Sequence, residues 1–584
     1  MSSSDFKRVL IRDERLDAKD CIPFAVYKSG QNVTVAQFNA ISDAPSSHTY
    51  NIQVPSETTI LDRRVIWDAE CTFQVSYTLP AGDPAIGTPK VQYGLTEALG
   101  PFPLHSMCST IQVTINNNSV STNMNDILPA LLHFYDRREL NRYNGMTPTA
   151  VDTARNYSDF VGATNNVLGN AASMSLDNDF LPRGSFIEVQ TAADALFTTA
   201  PGLNAAGANT YYVKFHVREP LLVSPFSYAH PYVNGQGFYG IQNLNFVMNL
   251  ITDQTSGVWR SAASYASLMT ISNVSWSSLK PSLIFNFLSP KPSDMLSARN
   301  VVPYWEMPRF LTTGLAACSA GSLNACGGLT YGSTTYASNT IQLNQIPDKL
   351  IIFLRRPKAL RNPGTTDSSL FISRISVSFN NQSGILASAT DDQLYRFSYE
   401  AGSNQSWQEY RAGAAQNSAS GIPKVVAMSG SYLMLDMGRH IQITEDYYAP
   451  GSLGNFNLQF NIEAKNAGSD AYTPEMVLIT LNSGLFVCEK GQSATYTGIL
   501  TKDDVLSVSS AAAVNEREAA RMVGGAFGLH AMKASSCGSG YSGGRGDAGA
   551  GAAGAASCGV GAGKGFKGAG KGAGTYNAIK DRLV

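Results

Sequence analysis

The strongest constraint on this chain is a two-residue alternation of apolar and polar side chains that returns along most of its length. Phe73, Val75 and Tyr77 alternate with Thr72, Gln74 and Ser76. The same period recurs at Ile111, Val113 and Ile115, at Tyr211, Val213, Phe215 and Val217, at Leu244, Phe246 and Met248, and at Leu283, Phe285 and Phe287. Far downstream it returns at Ile375, Val377 and Phe379 and at Phe456, Leu458, Phe460 and Ile462, where Asn457, Gln459 and Asn461 stand between. Successive side chains of a strand point to opposite faces, so each segment offers one face to a core and an amide-rich face outward. Clusters of Gly, Pro, Asn and Ser separate the segments, which predicts antiparallel sandwiches or barrels and an all-β fold.

A chain of 584 residues exceeds what one β core holds, so it divides. An internal repeat shows where. Ser109-Thr-Ile-Gln-Val-Thr-Ile-Asn-Asn-Asn-Ser119 parallels Ser373-Arg-Ile-Ser-Val-Ser-Phe-Asn-Asn-Gln-Ser383, an offset of 264 residues. A mixed apolar and aromatic segment follows each copy, Leu131 to Tyr135 and Tyr395 to Tyr399, and a weaker echo links Leu61–Ile66 to Pro347–Ile352. The repeat reads as a remote duplication with loop insertions. It predicts an N-terminal arm over 1–24, one barrel over 25–285, a second over 290–505, and a C-terminal helix and tail over 506–584. Pro281, Pro290 and Pro292 punctuate the join.

Helical spacing is rare. The clearest case runs from Met124 to Tyr143, with Met124, Ile127, Leu128, Leu131 and Tyr135 on one face, Asn123 as N-cap, Asp126 in the first turn and Arg137 and Arg138 at the carboxyl end. A second short helix is expected from Ala511 to Met522. The Asn/Ala/Gly-rich stretches Asn144–Asn209 and Thr312–Ser338 read as long loops rising from barrel ends. From Ser535 to Gly574 the chain is almost all Gly, Ala, Ser and Lys, a tail that cannot bury a core.

Charged residues are 15% of the chain and the net charge is −1, without the basic excess of a nucleic-acid binder. Met1 to Arg8 is polar with no apolar run behind it, and no stretch is long and apolar enough to span a bilayer, so a chain made without a signal peptide is expected. The eight cysteines (Cys21, Cys71, Cys108, Cys318, Cys326, Cys488, Cys537 and Cys558) form no CxxC pair and read as free thiols, with Cys318 and Cys326 the one pair near enough to bridge.

The ordered set Thr59-Ile-Leu-Asp-Arg-Arg64, then Phe102-Pro-Leu104 before the Ile111 strand and its Asn-Asn turn, then Pro129-Ala-Leu-Leu132 in the helix, resembles the double jelly-roll major capsid proteins of virophages and polinton-like viruses, in the lineage shared with adenovirus hexons. The resemblance covers the first barrel most closely. It implies two tandem eight-stranded jelly rolls and a homotrimeric capsomer of pseudo-hexagonal outline. It implies an icosahedral shell around double-stranded DNA, with neighbouring capsomers, a penton and minor capsid proteins as partners.

Met522-Val523-Gly524-Gly525-Ala526 resembles the Met/Ile/Leu-x-Gly-Gly-x pattern cut by adenovirus-type maturation proteases, and it lies between the last barrel strand and the tail. The bland alternative is a Gly-Gly cap ending the Ala511 helix. Lys533, Arg545, Lys564, Lys567, Lys571, Lys580 and Arg582 make the tail basic, either a solvated arm or a weak contact to DNA or an inner membrane. Arg545-Gly546-Asp547 is a cheap match in so Gly-rich a stretch. Gly565 to Lys571 lacks the Ser/Thr and the preceding strand of a phosphate loop.

The seven histidines show no HExxH or paired spacing, no Gly-x-Ser-x-Gly elbow occurs, and His216 falls on the outward side of its strand. No enzyme activity and no cofactor is expected. The alternative reading is a jelly-roll protein that binds or cleaves carbohydrate, and a third is a receptor-binding spike. A secreted sugar binder should carry an export signal and an aromatic platform, against five tryptophans here.

Overall fold

The alternating segments fold as strands whose apolar positions all face inward. Along β3 (Ile66–Leu79), Trp67, Ala69, Cys71, Phe73, Val75, Tyr77 and Leu79 are buried while the residues between them are not. The computed structural model describes residues 32–498, apart from 94–96, 101, 135–188, 227–236, 262, 278–279, 290–295, 297–298, 324–328, 366–368, 418–422, 428, 444–447, 469 and 490.

The first group of strands comprises β1 (Asn32–Asn39), β2 (Ser47–Gln53), β3, β4 (Cys108–Ile115), β5 (Asn118–Thr122), β6 (Gly207–Pro220), β7 (Asn243–Leu250) and β8 (Ser282–Ser289). They pair antiparallel as two sheets, β1-β8-β3-β6 and β2-β7-β4-β5. The second group comprises β9 (Asn300–Glu306), β10 (Gly332–Ala337), β11 (Lys349–Arg355), β12 (Phe371–Phe379), β13 (Gln382–Ile385), β14 (Leu433–Asp436), β15 (Leu453–Asn466) and β16 (Glu475–Glu489). Their sheets are β9-β16-β11-β14 and β10-β15-β12-β13, the same order shifted by eight strands. Two facing sheets of this order make a jelly roll, and the chain contains two. Short extra strands thicken both, such as Thr270–Trp276 on β3 and Ile341–Gln345 on β15.

The sequence repeat falls on equivalent hairpins, β4–β5 and β12–β13, each followed by a helix. These are α2 (Met124–Phe134) and α3 (Asp391–Glu400), while α1 (Pro103–Met107) precedes β4 and α4 (Trp407–Tyr410) follows α3. α2 is observed over the amino-terminal part of the predicted 124–143 helix, and 135–143 lie outside the described residues. Tyr395–Tyr399, the second member of the mixed-segment pair, lies inside α3, whose first turn carries a Thr390/Gln393 capping box.

Two expected loops contain strands. Gln190–Ala192 pairs with β6, which itself begins at Gly207, and β10 lies inside the stretch read as a loop over 312–338. β10 reads Gly-Ser-Thr-Thr-Tyr-Ala, and Tyr336 is its single buried residue, so no apolar alternation marks it. Cys318 is a free, buried thiol, as are Cys71, Cys108 and Cys488, so the proposed pairing of Cys318 is not formed; Cys326 lies outside the described residues.

Within the first barrel, Glu219 is fully buried and accepts from the Leu104 N–H (2.9 Å), the His105 N–H (3.1 Å) and His105 Nδ1 (2.6 Å). His105 Nε2 in turn accepts from the Leu222 N–H at 3.0 Å, which fixes the neutral Nδ1–H tautomer. The Phe102-Pro-Leu104 motif is therefore the start of α1, held by a carboxylate from β6. The carboxylate and both ring nitrogens are engaged within the protein, so the pair serves structure and not proton transfer to a substrate.

Candidate functional site

A structural subunit acts through its surfaces, and the sequence places one helix where two barrels must meet. α2 is apolar nearly all round, which is the pattern of a helix buried on two sides. Met124, Leu128 and Leu132 enter the first core. Ile127, Ala130, Leu131 and Phe134 lie instead against Trp305, Ile351, Phe353, Tyr432, Met434, Val477, Ile479 and Leu481, the outer face of β9-β16-β11-β14. β11 is buried at every position, because its second face is covered by α2. Each large apolar side chain sealed here contributes about 1.5–3 kcal/mol.

The helix start is pinned by charge. Asp126, 1% exposed and in the first turn, receives Arg355 Nη2 from β11 and Arg309 Nη1 from the strand Arg309–Thr312. Arg355 Nε also donates to Glu475 Oε1 at 2.7 Å, and Arg361 Nη2 lies 3.6 Å from the same oxygen. Pro129 has no N–H to give to the carbonyl of Asn125, and Arg355 Nη1 donates there instead at 3.4 Å. Arg361 Nη1 reaches Asn125 Oδ1 at 3.3 Å. Burial, and then the neighbouring Arg355, pull the Arg361 guanidinium down to about 10. Removing one partner from such a buried network leaves a charge without compensation, which is far costlier than never having had the pair.

The carboxyl end of α2 is also held by the second barrel. The Asn404 N–H donates to His133 O at 2.8 Å and its Nδ2 to Phe134 O at 3.3 Å. Lys349 Nζ, 5.8 Å from the Phe134 ring centroid, donates to Ala401 O at 2.7 Å and to Asp436 Oδ1 at 2.6 Å.

A second seam uses the length of β16. Its residues Met476 to Leu481 serve the second barrel, whereas Phe486 and Cys488, with Val302 and Tyr304 of β9, belong to the first core. The strand Gln492–Thr497 then brings Ser493 onto the β4–β5 turn, where its N–H donates to Asn117 Oδ1 at 3.1 Å and its hydroxyl to Ile115 O at 2.5 Å. The two barrels are one mechanical unit.

Outward faces differ in character. The outer face of β1-β8-β3-β6 carries the ion pairs Lys214–Glu70 at 3.0 Å and Arg218–Asp68 at 2.9 Å, and His216 Nε2 lies 2.5 Å from Asp68 Oδ1. His216 is thus on the outward side, as its alternation predicts. The outer face of β2-β7-β4-β5 is an uncharged ladder of Thr49, Asn51, Asn245, Asn249, Thr110, Gln112 and Thr114, joined by bonds such as Asn249 Nδ2 to Thr110 Oγ1 at 2.8 Å. Among the described residues no group of three or more His, Cys, Asp or Glu side chains is placed to hold a metal ion. Met522, Val523, Gly524, Gly525 and Ala526, with the basic tail, lie outside the described residues.

Periodicity marks Asp126 only as a first-turn acid and leaves Arg309, Arg355, Arg361 and Glu475 unmarked. One signal was available. The segment Leu350–Leu354 is apolar at every position and ends on Arg355-Arg356, the mark of a strand buried on both faces with a charge to place at its end.

Two jelly rolls of one strand order, fused by buried seams, define a double jelly-roll protein. The architecture matches that of the Sputnik virophage solved by cryo-EM, with a TM-score of 0.68 at 24% identity over 89% of this chain and 99% of that one. It also matches the crystal structure of the mavirus major capsid protein, with a TM-score of 0.62 at 12% identity over 87% and 95%. A family model described as the Sputnik virophage major capsid protein 1st domain matches residues 4–288, and one described as the major capsid protein V20 C-terminal domain matches 307–484. The putative capsid protein V20 of Sputnik virophage is 26% identical over 536 residues, 89% of this chain and 84% of that protein. The chain belongs to the virophage major capsid protein family, and it is a capsid-forming major capsid protein.

Proposed function

We propose that three copies of this chain join into a capsomer of pseudo-hexagonal outline and that such capsomers tile the icosahedral shell of a double-stranded DNA virus. The observation that carries this is the fusion of two barrels of one strand order into a rigid pair, which lets a trimer present six similar walls. The role is structural, with no catalytic step and no cofactor, and the chain resides in the virion after synthesis in the host cell. The domain division is 1–24, 25–285, 290–505 and 506–584. Neighbouring capsomers, a penton and minor capsid proteins are its partners. In this reading a maturation protease cuts at Met522–Ala526, and the basic tail is a solvated arm or makes a weak contact to DNA or an inner membrane before cleavage.

Light scattering of the purified full chain tests the central part. A mass of three chains with a hexagonal outline in negative stain is the expected result. A persistent monomer that binds oligosaccharide would replace this reading with the carbohydrate-binding one.

A further inference from the structure

β1 is an edge strand whose outward side chains are apolar and bare. Val33 is 47% and Val35 65% exposed, and Val33 shares a shallow groove with Ile60 and Leu288. β1 pairs with β8 on one side, and among the described residues no strand pairs with its other side. That free edge has a definite polarity. The Ala40 N–H donates to Pro281 O at 2.8 Å, in continuation of the β1–β8 register, so the amides of Thr34, Ala36 and Phe38 turn toward β8. Those of Val33, Val35 and Gln37 turn to the open edge. In the second barrel the corresponding strand, β9, is met by the first barrel, where the Trp305 N–H donates to Ser224 Oγ at 3.0 Å. An uncovered strand edge flanked by apolar side chains is a site for one more strand.

We propose that Ile22–Tyr27 of the same chain is that strand, folded back antiparallel on β1 through a turn at Lys28–Gln31. Four residues, Lys28-Ser29-Gly30-Gln31, separate Tyr27 from Asn32, which is a hairpin length and includes a glycine. This loop sets Val26 opposite Val33, Phe24 opposite Val35 and Ile22 opposite Gln37. Directly opposite residues share a face, so Val26 and Phe24 come to lie beside the two bare valines.

Proline selects the register. Pro23 falls opposite Ala36, whose N–H and C=O turn to β8, so the position without an N–H is one that the new ladder does not use. A loop one residue longer or shorter sets Pro23 opposite Val35 or Gln37, where a donor is needed. A strand tethered by four residues also meets β1 at a far higher effective concentration than the same strand of a second copy. The amino-terminal arm is thereby a guard that closes the first barrel against edge-to-edge pairing of copies.

The test uses the full chain carrying Cys21→Ser, Ala25→Cys and Thr34→Cys, oxidised as a mixture of isotope-labelled and unlabelled copies, with disulfides mapped by mass spectrometry. A disulfide between positions 25 and 34 within one copy is the expected result. Its absence overturns the proposal, and a disulfide that joins labelled to unlabelled copies overturns it in favour of a second copy as the occupant. In parallel, residue-resolved hydrogen exchange compares the parent with Val26→Pro. Slow exchange at Val33, Val35 and Gln37 in the parent should speed up by about tenfold or more in the variant, while Thr34, Ala36 and Phe38 stay protected in both. Fast exchange at Val33 and Val35 in the parent, or no change in the variant, overturns the proposal.

Discussion

Asn116 and Asn380 tie equivalent turns to the neighbouring strand in two different barrels, each through its own N–H and its own Oδ1. Each sits in a left-handed conformation, at φ 53° and 51°, in the turn between its two strands. The Asn116 N–H donates to Asn243 O at 2.7 Å and its Oδ1 accepts from the Gln242 N–H at 2.8 Å. The Asn380 N–H donates to Asn457 O at 2.8 Å and its Oδ1 accepts from the Asn457 N–H at 2.9 Å. The turn thereby fixes where the neighbouring strand, β7 or β15, begins its pairing.

Replacing these residues should therefore cost unequally. Asn116 is buried and also donates to Gly240 O at 3.2 Å, whereas Asn380 is exposed. Asn116→Ala should lower stability by about 2–3 kcal/mol through lost hydrogen bonds and backbone strain, and Asn380→Ala by about 1–2 kcal/mol. Urea unfolding measures both, and equal losses would contradict the difference in burial.

The buried seam network makes a sharper expectation. Asp126→Ala leaves the buried Arg355 with Glu475 as its remaining carboxylate among the described residues and should destabilise by about 3–5 kcal/mol. The Asp126→Leu, Arg355→Met double variant removes both charges and should cost less than the single change. Limited proteolysis of Asp126→Ala should release the two barrels as separate fragments before either is degraded.

Acid should weaken the first barrel through His48. This ring is fully buried among Tyr50, Trp67 and Trp276, with centroids 6.4, 6.2 and 4.3 Å away, and neither ring nitrogen has a hydrogen-bond partner among the described residues. Burial pulls its pKa from 6.5 down to about 4, against a smaller opposing pull from Asp43. The unfolded chain binds this proton near pH 6.5 and the folded one only near 4, so the full stability holds above 6.5 and drains away as pH falls through that window. The loss approaches about 3 kcal/mol. His48→Phe should flatten this part of the stability profile measured by urea titration at successive pH values.

Gly484 is required by a close approach within β16. A Cβ there would lie 2.2 Å from Tyr496 O, a backbone atom that cannot yield without breaking the pairing of β16 with 492–497. Gly484→Ala should detach that strand and lose its contact with Ile115 and Asn117. Hydrogen exchange would show this as lost protection at 492–497, while the second core around Phe460 keeps its protection.

The fold was legible because alternation is a local signal. Phe73, Val213, Phe246 and Phe460 each announced a strand, and the duplicated Ser-x-Ile-x-Val motif announced the second barrel. β10 was not legible, since Tyr336 alone of its residues is buried. The seam was illegible for a different reason. Asp126, Arg309, Arg355 and Glu475 are dispersed over some three hundred and fifty residues and converge only after both barrels have formed. Periodicity says which side of an element is apolar, and it does not say that Ile127 and Leu128 serve different barrels.

Electron cryomicroscopy of the particles that the purified chain forms tests the capsid role most directly. The expected density shows capsomers of hexagonal outline with six barrels each, into which this fused pair fits three times with α2 inside the subunit. Elongated trimers that build no lattice, or shells in which each capsomer holds a different number of barrels, would contradict it.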